Sequence, residues 1–352
     1  MFKYIVILQI ILLSVPCMAN ETKLYGSVRL GTFYMTERDN PAGKDKDYTV
    51  WELMNNSRIG GTYSNPEIGA GFEVGNGHDG VQIRKLFGTY RIGETATLLI
   101  GKDYTPLNYF PSNQVAPIYE NEGDSGLKPY GGIYNGFKSM IQISTDRLKL
   151  AFIEPATVSE TQLKYGLTGE IERTAPKVEL SYHIGSEARY LDAYTGYQAY
   201  RIVEDVTDVE YDINSWVLGL NVGVNFGQVY ILGNAYSGQN INPYGLWAEG
   251  DDSPRIISGE IYDCTTDGYI LVLGAHITQK AIAETGLGYI VHDVSGAVEN
   301  DETLSGYLNI QYEVNRFFHI VPEIGFVDYM TDNAGTDEGK KYYFGTKWEI
   351  DF

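Results

Sequence analysis

The chain has 352 residues, with 46 acidic side chains against 26 basic ones and a formal net charge of −20, a balance that repels nucleic acid. Only 20% of the residues are charged, while 40 are Gly, 29 Tyr and 13 Phe, an odd composition for a soluble enzyme.

The opening segment reads as an address rather than as structure. Lys3 supplies a positive start, Tyr4 to Val15 is an apolar run interrupted only by Gln9 and Ser14, and Cys17-Met18-Ala19 offers small residues for cleavage. That is the layout of a secretory signal peptide, too short for a spanning helix. Cleavage is expected after Ala19, leaving residues 1–19 as the leader and 20–352 as one mature domain. Lipidation of Cys17 is the rival reading, and Pro16 and Ser14 suit it poorly. Removing 1–19 takes away Lys3 and no acid, so 25 basic side chains face 46 acidic ones and the charge becomes −21. Cys264 is then the single cysteine, and a single cysteine builds no internal disulfide.

Beyond the leader no apolar run is long enough for a membrane helix. What recurs instead is a period of two. In the first strand Leu24, Val28, Leu30 and Tyr34 oppose Ser27, Arg29 and Gly31. In Lys177–Ile184, Val178, Leu180, Tyr182 and Ile184 oppose Lys177, Glu179, Ser181 and His183. In Thr303–Glu313, Leu304, Leu308, Ile310 and Tyr312 oppose Ser305, Tyr307, Asn309 and Gln311. Near the end Phe318, Ile320, Ile324 and Phe326 share one face, with His319 and Glu323 on the other. The last segment sets Tyr342, Phe344, Thr346, Trp348, Ile350 and Phe352 against Lys341, Tyr343, Lys347, Glu349 and Asp351. Such alternation turns one face to lipid and one to water, whereas a helix would scatter these residues. Tyr269–Ile277 is less tidy, being apolar on both faces, and Ala188–Tyr200 has no clean phase.

The pattern predicts strands at 22–34, 50–63, 68–76, 81–92, 96–104, 131–144, 147–154, 174–184, 187–200, 214–226, 228–236, 268–278, 281–292, 303–313, 317–330 and 341–352. Connectors alternate between long ones, such as 105–130 and 237–267, and tight ones, such as Thr145-Asp146 and Gly185-Ser186; 77–80 is the short exception. The expected fold is therefore all-β: a transmembrane antiparallel β-barrel of sixteen strands with long outer loops and short periplasmic turns.

Four places resemble the Gram-negative trimeric porins of general-diffusion type. Leu24-Tyr25-Gly26-Ser27 looks like that family's opening strand, and Ser57-Arg58-Ile59-Gly60 like its second, where the Arg points into the channel. Gly101-Lys102-Asp103-Tyr104-Thr105-Pro106 is similar to the end of its fifth strand, and Phe352 matches its terminal aromatic. The resemblance implies a homotrimer in the outer membrane, in contact with the lipid bilayer and lipopolysaccharide, and passage of small hydrophilic solutes and ions. It also implies a third loop folded into the lumen, and a terminal strand (Trp348, Ile350, Phe352) read by the barrel assembly machinery. Two features depart from the family: the loop lacks a Pro-Glu-Phe-Gly-like tip, and connector 237–267 is unusually long.

A diffusion pore needs charges where the radius is smallest, and neither a catalytic group nor a cofactor. Arg29, Arg58 and Arg84 form an expected basic ladder on one wall, which Lys102 extends. Glu120, Glu122 and Asp124 would face it across the gap if connector 105–130 folds inward. The plainer alternative pairs these arginines with acids in the wall and leaves the acidic cluster in solvent. The other outer loops carry Glu204, Asp205, Asp208 and Glu210, then Asp251 and Asp252, then Asp332, Asp337 and Glu338. Cation bridging to lipopolysaccharide and plain solvation both fit them. The histidines are dispersed, without metal-ligand spacing. His183 near Ser186 is the nearest approach to a catalytic pair, and no enzyme is expected. Tyr190, Tyr194, Tyr197 and Tyr200 fit either stacking steps for sugars or an interfacial girdle. Two further readings stand beside the diffusion pore: a substrate-selective channel, and a structural or adhesive barrel with binding loops.

Overall fold

A computed structural model describes residues 21–39, 43–77, 80–116, 123–156, 169–173, 175–205 and 208–352. The leader, Glu120 and Glu122 lie outside the described residues.

Sixteen antiparallel strands close into one barrel. They are β1 (Glu21–Arg38), β2 in two parts (Lys46–Leu53 and Arg58–Ser64), β3 (Ile68–Gly77), β4 (Gly80–Ile92) and β5 (Ala96–Tyr104). Next come β6 (Phe137–Ser144), β7 (Leu148–Ile153), β8 in two parts (Gly169–Glu172 and Lys177–Ser186), β9 (Arg189–Glu204), β10 (Glu210–Asn225) and β11 (Val229–Gln239). The last are β12 (Cys264–Thr278), β13 (Ala281–Val294), β14 (Asp301–Asn315), β15 (Phe318–Asp328) and β16 (Lys340–Asp351). Closure is made by β1 on β16, from Ser27 opposite Asp351 to Arg38 opposite Lys340. Pairing the first strand with the last closes the wall, as a lipid environment demands.

The wall shows why an alternating sequence makes this shape. Along β10, Trp216, Leu218, Leu220 and Val222 point outward, while Ser215, Val217, Gly219 and Asn221 are buried inside. Leu218 is 60% exposed, a position that in water forgoes roughly 1.5–3 kcal/mol of burial but suits a hydrocarbon surround. Tight turns are set locally. The Asn65 carboxamide oxygen accepts the Glu67 and Ile68 N–H groups, and Asn315 does the same for Phe317 and Phe318.

Three expected boundaries need correction. The strand expected over 50–63 is interrupted at 54–57, where Ser57 Oγ accepts the Arg29 N–H (2.9 Å) and the Met54 side chain is buried. The strand expected from 131 starts only at Phe137. Gly131 has φ +97 and lies where a Cβ would stand 2.5 Å from the Tyr269 and Tyr289 carbonyls, so it belongs to an inward loop pressed on β12 and β13. Cys264 opens β12 rather than lying in a loop, fully buried.

Candidate functional site

After β5 the chain leaves the wall, and the described parts of loop 105–136, residues 105–116 and 123–136, lie inside the barrel. The loop's descending arm is caught by two buried carboxylates. Glu284 of β13 accepts the Asn113 N–H (2.8 Å) and side-chain amide (2.7 Å), together with the Tyr230 and Tyr307 hydroxyls at 2.5 Å each. Glu323 of β15 accepts the Val115 and Ala116 N–H groups at 2.9 Å each. Asn309 Nδ2 donates to Glu323 as well (3.0 Å). Among the described residues the partners of both carboxylates are N–H and O–H donors rather than basic side chains. Gln114, between these contacts, donates to Tyr343 Oη (2.9 Å).

On the adjoining strands β16 and β1 the dock is ionic. Asp124 Oδ2 lies 2.6 Å from Arg29 Nη1, and Asp124 Oδ1 lies 3.1 Å from Lys347 Nζ. Both cations also hold Glu349 of β16, at 2.5 Å and 2.9 Å. Burial opposes ionisation of Asp124, but Lys347 and Arg29 outweigh it and hold its carboxyl well below the usual carboxylate range.

Beside this latch Arg84 is buried, its Nε 2.7 Å from Glu73, its Nη2 on Asn56 and its guanidinium 4.5 Å from the Phe137 ring centroid. A register shift between Glu73 and Val74 lets both Arg84 and Lys85 face inward. Arg58 is more open, 3.4 Å from Glu73. Arg29, Arg58, Arg84 and Asp124 line one cavity of ≈ 650 Å³ beneath the loop, together with Lys347 and Glu349.

Two expectations are corrected here. Asp124 faces the arginines neither across an open gap nor from solvent, being buried against Arg29 and Lys347, while Arg84 pairs with the wall acid Glu73. Lys102 does not extend the ladder. It sits opposite Leu86 and Ser139, on the face shared with outward Ile100 and Ile141, and lines neither of the two inner cavities. Trp348 and Ile350 lie on the outer face of the closing strand. The Phe352 ring covers Gly26, where a Cβ would stand 2.4 Å from it.

A second loop, 240–263, also turns inward. Its single helical turn, Ile241–Tyr244, buries Tyr244, whose hydroxyl donates to Glu179 (3.1 Å). Lys177 Nζ donates to the Tyr244 carbonyl (2.9 Å) and to Asn135 Oδ1 (3.0 Å), so both loops meet on β8. Trp247 and Glu249 N–H groups reach the Tyr134 and Pro129 carbonyls of the first loop. The tyrosine row of β9 is split by this packing. Tyr194 is buried and stacks on loop residue Tyr109 at 5.0 Å, Tyr200 is buried too, and Tyr197 alone is outward at 51% exposure. Sequence reasoning placed Lys347, Glu349, Lys177, Glu179 and Glu323 on the water face without giving them work. Their loop partners are far away in the chain, so no local pattern announces the contacts.

Two further cavities are formed by the described residues. One of ≈ 610 Å³ runs beside Asp103, Tyr109, Arg147 and His183, where His183 Nδ1 meets Asp192 (2.6 Å) rather than Ser186. The other, ≈ 580 Å³, opens among the outer loops and is lined by Glu249, Asp251, Asp301, Asp332 and Glu338.

No protein-family model and no curated protein matches the chain. Solved structures do. The outer membrane channel DcaP of Acinetobacter baumannii is 14% identical, with 95% of this chain and 97% of that one covered and a TM-score of 0.69. An anion-selective porin from Comamonas acidovorans is 14% identical over 95% and 100%, at 0.61. The trimer form of OmpT, an outer membrane protein of Vibrio cholerae, is 13% identical over 95% and 100%, at 0.58. The fold is that of the general-diffusion porins, and with its apolar belt it points to a multi-pass β-barrel of the Gram-negative outer membrane.

Proposed function

We propose that this barrel is a diffusion channel for small hydrophilic solutes and ions, with loop 105–136 as its constriction. The observation that carries the reading is the loop itself, fixed inside the barrel by Glu284 and Glu323 and, on the adjoining strands β1 and β16, by Arg29 and Lys347. Charged cavities lie on either side of it. A channel of this kind works by radius and fixed charge, without bond-making chemistry. The reading includes a cleaved leader over residues 1–19, insertion through the closing strand with Trp348, Ile350 and Phe352, and a homotrimeric assembly. The trimer form of the Vibrio cholerae protein supports the last of these.

A planar-bilayer recording tests the reading. Purified mature protein is expected to give discrete ohmic current steps and a measurable reversal potential under a salt gradient. Silent bilayers despite inserted protein would leave the structural or adhesive barrel as the better account. The inward turn of loop 240–263, with Tyr244 and Lys177 fully buried, favours a selective channel as the second reading. Strong saturation of current by one solute class would support it.

A further inference from the structure

The outer cavity gathers negative charge that the constriction does not use. It lies between loops 240–263, 295–300 and 329–339, and five carboxylates line it. One basic residue, Arg255, shares that lining and is held by Asp251 (3.0 Å). Arg38, Lys340 and Lys341 line an adjoining cavity that shares Glu249 and Glu338; there Arg38 is held by Asp47 (2.5 Å), Lys340 by Asp328 (2.7 Å), and Lys341 lies near Glu37 (3.9 Å) and the Tyr329 ring (5.7 Å).

A second observation points to a ligand. Asn333 lines this cavity, is only 8% exposed, and neither atom of its carboxamide has a hydrogen-bond partner among the described residues. A buried amide left unmatched is costly, and an incoming ammonium group would satisfy its oxygen. Glu338 responds to the same crowding. Burial, then the charges of Asp301, Asp332 and Glu249, push its carboxyl up to about 7. A bound cation relieves that repulsion.

The geometry argues against a bare metal ion. Among the described residues no group of three His, Cys, Asp or Glu side chains is placed to share one ion. A cavity of ≈ 580 Å³ is also far larger than a coordination shell, and it matches an extended molecule with separated charges.

We propose that this outer cavity binds a small organic polycation bearing primary ammonium groups, through Glu338, Asp332 and Asp301 with the Asn333 carboxamide oxygen. Passage of the bound cation inward rests on the channel reading; binding does not.

Isothermal titration of the full mature chain in detergent with spermidine tests the site, with calcium chloride as the competing probe. Saturable binding is expected, weakened about tenfold by Glu338→Gln and again by Asn333→Ala, as for one charge-assisted contact each. Glu260→Gln, in the short hairpin of Arg255–Ile257 with Glu260–Tyr262 and outside the cavity lining, should leave it unchanged. Absence of saturable binding overturns the proposal, and so does an equal loss in Glu260→Gln, which would mean diffuse surface charge. Calcium that binds as tightly and displaces spermidine one for one overturns it in favour of a metal site. Bilayer recordings run in parallel keep the two readings apart: binding without current retains the site and removes the channel, and current without binding does the reverse.

Discussion

The described parts of loop 105–136 are held on adjoining stretches of one wall by opposite chemistry. On β13 and β15 the wall supplies carboxylates and the loop supplies mostly backbone N–H groups, from Asn113, Val115 and Ala116. On β1 and β16 the wall supplies cations and the loop supplies one side chain, Asp124. The first dock reads the course of the loop's backbone. The second reads a single charge, and it has a spare, because Arg29 and Lys347 keep Glu349 whether or not Asp124 is present. The two docks should therefore fail differently.

The largest effect is expected at the backbone dock. Glu323→Leu strands the Val115, Ala116 and Asn309 donors, each costing about 1–3 kcal/mol when buried without a partner. The loop should come off that stretch of the wall. Amide hydrogen exchange at Val115 and Ala116 should accelerate by orders of magnitude, and protection unchanged from wild type would break the comparison.

Asp124→Asn should cost less, about 2 kcal/mol. That is below the ~3–5 kcal/mol of stranding a buried charge, because both cations retain Glu349. A double-mutant cycle with Lys347→Met measures the coupling directly. The depressed Asp124 carboxyl sets the pH sense. A lowered acid stabilises the docked state above its undocked value and loses that stabilisation only as pH falls through the docked value. The ionic dock should then survive acidification through the ordinary carboxylate range.

A smaller effect separates two arginines of the basic wall. Arg58→Ser removes a partly open charge from the lower cavity and should shift the ion permeability ratio toward cations by about twofold, ~0.4 kcal/mol. Arg84 is buried against Glu73, so Arg84→Met should disturb folding of that wall more than selectivity. Reversal potentials and melting temperatures of the two variants, taken together, decide this.

The smallest effect lies at the outer mouth. Glu338 holds its proton up to about 7, so it is neutral below that pH and charged above. A raised acid favours the folded loop below its ordinary range and loses that contribution as pH rises through about 7. Cation preference should grow slightly over the same interval, and Glu338→Gln should abolish the change. A flat reversal potential from pH 6 to 8 in wild type, roughly the interval around that titration, contradicts it.

The wall was legible because its rule is local. Each lipid-facing residue repeats every second position, so β8, β14 and β16 could be phased from their own segments. The interior was less legible because its partners come from elsewhere. Tyr269–Ile277 read as apolar on both faces, and the reason is now visible: Ile270 and Val272 face inward onto Leu127 and Tyr130 of the inward loop. Ala188–Tyr200 lost its phase for the same cause, since Tyr194 packs inward on loop residue Tyr109. Lys102 misled for the opposite reason. Its charge, beside a lumen motif, suggests the lumen, whereas register with Leu86 turns it out.

Single-channel conductance of wild type against Glu323→Leu, in the same bilayer and salt, tests the central claim most directly. A loop that sets the constriction by docking on Glu323 predicts ohmic steps in both, with larger and noisier ones in the variant. Steps of equal size in both proteins would contradict it.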